Sequence, residues 1–327
     1  MSGKPYSWAS DVREVFHAVN YQAIPIKNLG GMGGAKCTGR GYSLALADGS
    51  RWWIGADSSQ QAWVNRLAEL MQLDPGDPVE DACRFFLTKA HEGEIQLLRE
   101  ASGWSLVNLN RCLIRQHSES PDILWEIGPE VSEASSPLPF FLYLSTFIHR
   151  ESLRRGGLPF HAAMVEKGGQ GIILAGPSGA GKSTCFRRIP PPWQGLCDDE
   201  LLVVKTPEGR YLAHPFPTWS DEFLKRQNRP RKVQSPVPLA GIFFLEQASS
   251  DDYLAIKAGE AAVAATASAF QVMDRLFWVS SAKETRNLRC QIFANACDLV
   301  GQIPTFRLKV SLNGRFWEKL EAALGWQ

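Results

Sequence analysis

Gly171-Ile172-Ile173-Leu174-Ala175 runs into Gly176-Pro177-Ser178-Gly179-Ala180-Gly181-Lys182-Ser183-Thr184, and the reading of this stretch decides the fold. The second part fits G-x-x-x-x-G-K-[ST] at every fixed position. The five residues before it form a short apolar strand run. Residues 184–189 read as a short helix stopped by Pro190-Pro191-Pro192, because proline cannot continue a helix. Strand, loop and helix in this order let consecutive backbone N–H groups converge on phosphate oxygens, with the helix start adding partial positive charge. The pattern predicts an α/β domain in which Gly176, Pro177, Ser178, Gly179, Ala180, Gly181, Lys182, Ser183 and Thr184 hold ATP. In that setting Lys182 reaches the β- and γ-phosphates and the Ser183 hydroxyl ligates Mg2+.

Sixteen residues after Lys182 come Asp198 and Asp199, within Leu196-Cys197-Asp198-Asp199-Glu200-Leu201. Phosphoryl transfer to a hydroxyl uses one carboxylate on Mg2+ and another that orients the attacking oxygen or accepts its proton. Adjacent aspartates after a short strand can supply both. By contrast, Gly30-Gly31-Met32-Gly33-Gly34 lacks a lysine-serine pair at the right offset and reads as a loop.

Upstream, Phe160-His161-Ala162-Ala163-Met164-Val165 completes a pattern. A histidine-bearing strand, a hairpin into GPSGAGKST, a short helix and then Gly195-Leu196-Cys197-Asp198-Asp199 resemble the core of HPr kinase/phosphorylase over residues 158–205. The elements after residue 239, ending in PTFRLKV, are compatible with the rest of that domain. The resemblance implies an HPr-kinase-like P-loop domain with a central mixed sheet. It implies that Asp198 activates the acceptor hydroxyl, that Asp199 joins Ser183 in holding Mg2+, and that His161 stands beside the pair. HPr kinases assemble into rings, so a homo-oligomer is the matching expectation. Pro177 replaces an aspartate common in the bacterial HPr kinases, residues 205–223 replace their glycine-rich GLGI-type segment, and the EVAARN-type signature is absent. These departures point away from HPr as substrate and from the reverse reaction. The layout and the HPFPTW stretch at residues 214–219 resemble the divergent HPr-kinase-like proteins of ribosomal-peptide pathways, such as lasso-peptide serine kinases and the kinase-like protein of the SynChlorMet cassette.

Composition sets the surroundings. Hydrophobic residues make up 44% and charged residues 21% of 327, which suits folded domains and argues against disorder. With 35 basic against 34 acidic residues, no global field draws the chain to nucleic acid or an anionic membrane. Seven scattered cysteines without a Cys-x-x-Cys pair read as reduced thiols. The first residues lack an apolar signal core, and the most apolar stretch, residues 137–148, is shorter than the roughly 20 residues a spanning helix needs. A cytoplasmic location without membrane contact is the expectation.

Two regions are expected: a β-rich α+β module over residues 1–134, suited to recognising an acceptor, and the ATP-binding domain over residues 135–327. In the first, residues 42–47 and 51–55 flank Asp48-Gly49-Ser50 as a hairpin. Ser58-Ser59 precedes a helix carrying Trp63, Leu67, Leu70 and Met71, stopped at Asp74-Pro75-Gly76. Residues 95–98, 105–109 with 112–114, and 123–127 read as strands. In the second, residues 137–148 read as a buried helix, 239–245 as a buried strand, 259–273 as a helix, 304–310 as a strand and 314–324 as a terminal helix. Residues 225–232, KRQNRPRK, could meet phosphates through Arg226, Arg229 and Arg231, although charge runs are usually solvated faces. Trp52, Trp53, Trp104, Trp125 and Trp219 suit core packing, and His149 and His214 suit structural roles. The activity expected is transfer of the γ-phosphate of ATP to a hydroxyl, foremost serine in a peptide or protein. The alternatives are a non-catalytic ATP-binding accessory protein and a kinase of free serine.

Overall fold

The computed structural model describes residues 41–79, 81–89, 104–108, 112–117, 122–128, 131, 136–224 and 230–326. It is a mixed α/β structure with two seven-stranded mixed sheets and, among the described residues, seven helices. The chain divides into two compact units, one around Ser50–Leu144 and one around Ser145–Gln327.

In the first unit β1 (Tyr42–Ala45) and β2 (Arg51–Ala56) form the expected hairpin. The turn between them contains Gly49 at φ 81, a conformation glycine adopts without a Cβ clash. Helix α1 (Gln61–Met71) follows, but the turn before it is built by Asp57 and not by a serine cap. Asp57 Oδ1 accepts from the N–H groups of Ser59 (2.9 Å) and Gln60 (3.1 Å). Beyond α1 come β3 (Asp74–Pro75), β4 (Cys83–Lys89), β5 (Trp104–Asn108), β6 (Cys112–His117) and β7 (Ile123–Ile127), in the sheet order β3-β1-β2-β4-β7-β6-β5. Strand β4, which the sequence reading lacked, pairs parallel with both β2 and β7. Phe85, Trp125 and Trp63 gather round Phe140 at ring-centroid distances of 5.5 to 6.5 Å. Each aromatic side chain so buried contributes about 2–3 kcal/mol. Trp52, Trp53 and Trp125 are core residues. Residues 30–34 and 95–98 and the Trp104 side chain lie outside what is described.

Helix α2 (Leu138–Arg154) leads into the second unit. There β8 (Leu158–Lys167) and β9 (Gln170–Ala175) make a hairpin, α3 (Lys182–Arg188) follows the phosphate-loop motif, and β10 (Gln194–Lys205) returns beside β8. Next are β11 (Tyr211–Pro215), α4 (Trp219–Phe223), β12 (Val237–Gln247), β13 (Asp252–Ala255), α5 (Ala258–Val279), α6 (Ala282–Val300), β14 (Thr305–Val310) and α7 (Phe316–Leu324). The order is β11-β10-β8-β9-β12-β14-β13, with β9, β12 and β14 mutually parallel. Ile172, Leu174, Phe243 and Leu308 of the sheet enclose Cys185 of α3 and Phe316 of α7 in one core, which fixes the loop before α3 to a rigid base. Helix α6 escaped the sequence reading, yet its start is a capping box: Ser281 and Glu284 each bond the other's backbone N–H. Its buried Asn295 donates to Leu153 O (2.7 Å) and Gly157 O (2.8 Å), tying it to the last turn of α2 and to the turn before β8.

Candidate functional site

Where β9 ends at Ala175 the chain turns through the glycine-rich loop into α3. Gly179 (φ 82) and Gly181 (φ 104) hold backbone conformations that side-chain-bearing residues rarely adopt. The N–H of Cys185 donates to Gly181 O at 2.8 Å, starting the helix. Lys182 is nearly buried, and its ammonium donates to Gly176 O (2.8 Å) and Pro177 O (3.2 Å). Burial lowers its pKa below the ordinary lysine value, opposed by the nearby charges of Asp199 and Asp198. On the next parallel strand, Gln247 at the end of β12 donates to Gly179 O at 2.6 Å. The loop is thus held at its start by Lys182 and at Gly179 by Gln247.

The two aspartates do not follow a short strand, as the sequence suggested, but sit inside the twelve-residue β10, whose register shifts between Gly195 and Cys197. The run of apolar residues that continues to Val204 extends the strand past them. Opposite them on β8, Asp198 faces Ala163, Asp199 faces Ala162 and Glu200 faces His161. Ala162 also pairs with Ala175 on β9, so the acid pair lies level with the start of the glycine-rich loop. The two carboxylates have different immediate partners, yet the charges of both act on Lys182.

Burial pushes the Asp198 pKa up to about 6, with a hydrogen bond from Ser183 lowering it and the charge of Asp199 raising it. Its Oδ1 is buried without a hydrogen-bond partner. Asp199 Oδ1 stands 3.3 Å from His161 Nδ1, and its Oδ2 accepts the N–H of Ser220 at 3.2 Å from the first turn of α4. His161 sits at the point where β9 has left the sheet. The backbone groups that a strand would have paired are taken by Ser268 of α5, whose hydroxyl accepts from His161 N–H (3.0 Å) and donates to His161 C=O (3.3 Å). His161, Lys182, Ser183, Asp198 and Asp199 are therefore one constellation. Ser220, Gln247 and Ser268 were not found from sequence, since each acts through a backbone group that no motif records.

Behind Asp199 lies a buried polar pair. His149 Nε2 is 3.5 Å from Glu200 Oε1, and the Trp219 indole donates to that same oxygen at 3.4 Å. Burial raises the Glu200 pKa to about 7, countered by the charge of Arg275 and assisted by that of Asp199. Burial, with Arg275 adding to it, lowers His149 to about 3. His149 is hence neutral at physiological pH, and the contact is not an ion pair. The Glu200 carboxyl ordinarily titrates at 4.5, so between that value and about 7 the folded chain retains a proton the unfolded chain releases. Its contribution to stability is present at low pH and is lost as pH rises through 7. Glu200→Gln is expected to raise the melting temperature relative to the parent by an amount that grows between about pH 5 and about pH 8. Thermal denaturation across that range checks it; an offset that stays constant with pH would count against the buried-acid account.

Of the basic segment, residues 225–229, with Arg226 and Arg229, lie outside the described residues. Arg231 is near enough to Cys197 for its charge to act on that buried thiol. Trp219 and His214 are fully buried, and His214 Nδ1 lies 2.6 Å from Val233 O. Among the described residues no group of three or more His, Cys, Asp or Glu is placed to hold a metal, and no helix is long and apolar enough to cross a membrane.

Residues 126–325, more than half of the chain and the whole of this constellation, match the family model for SynChlorMet cassette protein ScmC. The chain belongs to the ScmC family. The match starts within β7 of the first unit and ends beside the last residue of α7. No curated protein matches the chain.

Proposed function

We propose that this ScmC-family chain is a P-loop kinase, with an HPr-kinase-like second unit, that moves the γ-phosphate of ATP to a serine hydroxyl of a peptide or protein. The observation that carries the reading is the convergence of Lys182, Ser183, Asp198, Asp199 and His161 at the mouth of one glycine-rich loop. Mg2+ fits these residues: Asp198 Oδ1 is a buried oxygen without a partner, and the Ser183 hydroxyl bonds the same carboxyl. A magnesium site in phosphoryl transfer needs only one or two protein oxygens, the remainder coming from phosphates and water.

In this proposal Ser183 and Asp198 hold the metal, because they are neighbours, and Asp199 with His161 addresses the acceptor. The two aspartates thereby exchange the roles that the HPr kinase resemblance implies. When bound, Mg2+ neutralises charge on the transferring phosphoryl group. Lys182 presents its ammonium to the same phosphates, and the loop amides orient them. Asp199, steadied by the Ser220 N–H, accepts a hydrogen bond from the attacking hydroxyl and fixes its line of approach. Positioning and charge neutralisation supply most of the rate in a loose transition state. The sheet of β1–β7 serves as the acceptor-recognition module, and the chain works in the cytoplasm, with self-assembly as in HPr kinases.

The test is transfer of label from γ-labelled ATP to serine-containing peptides encoded in the same cassette, with and without a chelator of Mg2+. Metal-dependent appearance of phosphoserine is expected. Tight nucleotide binding without label on any serine peptide, free serine or the chain itself would replace the kinase with the accessory protein.

A further inference from the structure

The proposed site has a direction. Asp198, Asp199 and His161 belong to β10 and β8, which lie on one side of β9 in the order β11-β10-β8-β9-β12-β14-β13. A terminal phosphate that reacts beside them must face that side of the loop. The nucleoside end then falls on the other side, over β12 and β14. Both strands run parallel to β9, with Phe244 opposite Ala175 and Arg307, so their carboxyl ends open on the edge where the phosphate loop stands. Ligands of open parallel sheets bind outside such ends.

At that edge Gln247 is engaged with Gly179, and the next feature is the loop of residues 311–315 after β14. It adjoins the phosphate loop: a methyl group on Gly181 would stand 3.9 Å from Val310 Cγ2. It is also braced. Arg188, at the end of α3, donates to Ser311 O (2.9 Å) and to Gly314 O. The Ser311 N–H donates to Asp251 Oδ1 at 2.6 Å, and the Asp251 carboxylate fills the space where a side chain at Gly314 would begin. Arg315 is turned to Glu318 (2.9 Å). On this fixed frame Leu312 is 76% exposed, more than any other large apolar side chain among the described residues. Asn313, also exposed, offers a donor and an acceptor beside it.

We infer that residues 311–315 seat the nucleobase of the bound nucleoside triphosphate, with the planar base resting on Leu312. The inference rests on the phosphate-loop reading, and it explains why a braced loop keeps an apolar side chain in water. A base laid on Leu312 removes that side chain and one face of the ring from solvent together, while Asn313 meets the ring edge.

Calorimetric titration of the full chain with a non-hydrolysable ATP analogue and with inorganic tripolyphosphate separates the two layers. Leu312→Ser should weaken the ATP analogue about tenfold, within the range of a lost base contact, and leave tripolyphosphate binding unchanged. Parental affinity of Leu312→Ser for the ATP analogue overturns the inference, as does equal weakening of both ligands. Lys182→Ala, run in parallel, should weaken tripolyphosphate. If it does not, the phosphate-loop reading falls and takes this inference with it; if it does while Leu312→Ser is silent, only the base seat is lost.

Discussion

Asp199→Asn is expected to lower phosphate transfer at saturating Mg2+ and ATP by about two or more orders of magnitude, the scale for a positioned acid or base. Nucleotide affinity should stay close to the parent's. The substitution keeps the side chain's size, and the amide oxygen can still accept the Ser220 N–H that Asp199 Oδ2 now takes at 3.2 Å. What it removes is the negative charge beside His161 Nδ1 to which the proposed mechanism gives the orienting of an attacking hydroxyl. Asp198→Asn should behave differently. Its carboxyl bonds Ser183 and has an unpartnered buried oxygen, so loss of its charge should raise the Mg2+ concentration needed for half-maximal rate, with much of the rate recovered at high metal. Steady-state rates over a Mg2+ series for both variants decide the assignment. The reverse pair of phenotypes would restore the roles implied by HPr kinases. Parental rates in both would leave the aspartates without a part in transfer.

The glycine-rich turn between β9 and α3 was legible because its pattern is local: glycines at set positions, then lysine and serine on the next turn. The helical hairpin of α5 and α6 was legible only in its first half. Alanines at 261, 262, 265 and 269 recur at helical spacing and are buried, whereas the first turns of α6, from Ala282 to Gln291, are mostly exposed and show no apolar stripe. The Ser281 and Glu284 capping box was the signal available there. Strand β10 shows the opposite difficulty. Asp198, Asp199 and Glu200 interrupt its apolar run, and acidic residues are poor strand formers, so local preference alone ends the strand before them. The neighbours override that local preference, since β8 pairs with all three acidic residues and β11 takes up the other edge from Leu201 onward. Ser268 and Gln247 were out of reach for another reason. Each reaches the site over a separation in sequence of 107 or 68 residues to bond a backbone atom, and spacing carries no trace of that.

Lys182→Ala should weaken binding of a non-hydrolysable ATP analogue about tenfold to a hundredfold, because hydrogen bonds to a charged group are worth about 1.5–3 kcal/mol each. The melting temperature should hardly change, and the structure explains why the two effects separate. The Lys182 ammonium is nearly buried and its pKa is lowered by that burial, so removing it relieves a desolvation cost as well as two bonds. The carbonyls it releases, Gly176 O and Pro177 O, belong to residues that are not buried, and water can take its place. Neither the Cys185 N–H bond that starts α3 nor the Gln247 bond to Gly179 depends on the lysine, so the loop keeps its course. What cannot be replaced is a positive charge between the loop and the two aspartates. Without it, bound phosphates would face Asp198 and Asp199 unshielded, and repulsion adds to the lost attraction. Titration calorimetry beside thermal denaturation reads both quantities on one preparation. An intact melting transition with parental nucleotide affinity would remove the phosphate loop from the account of this chain.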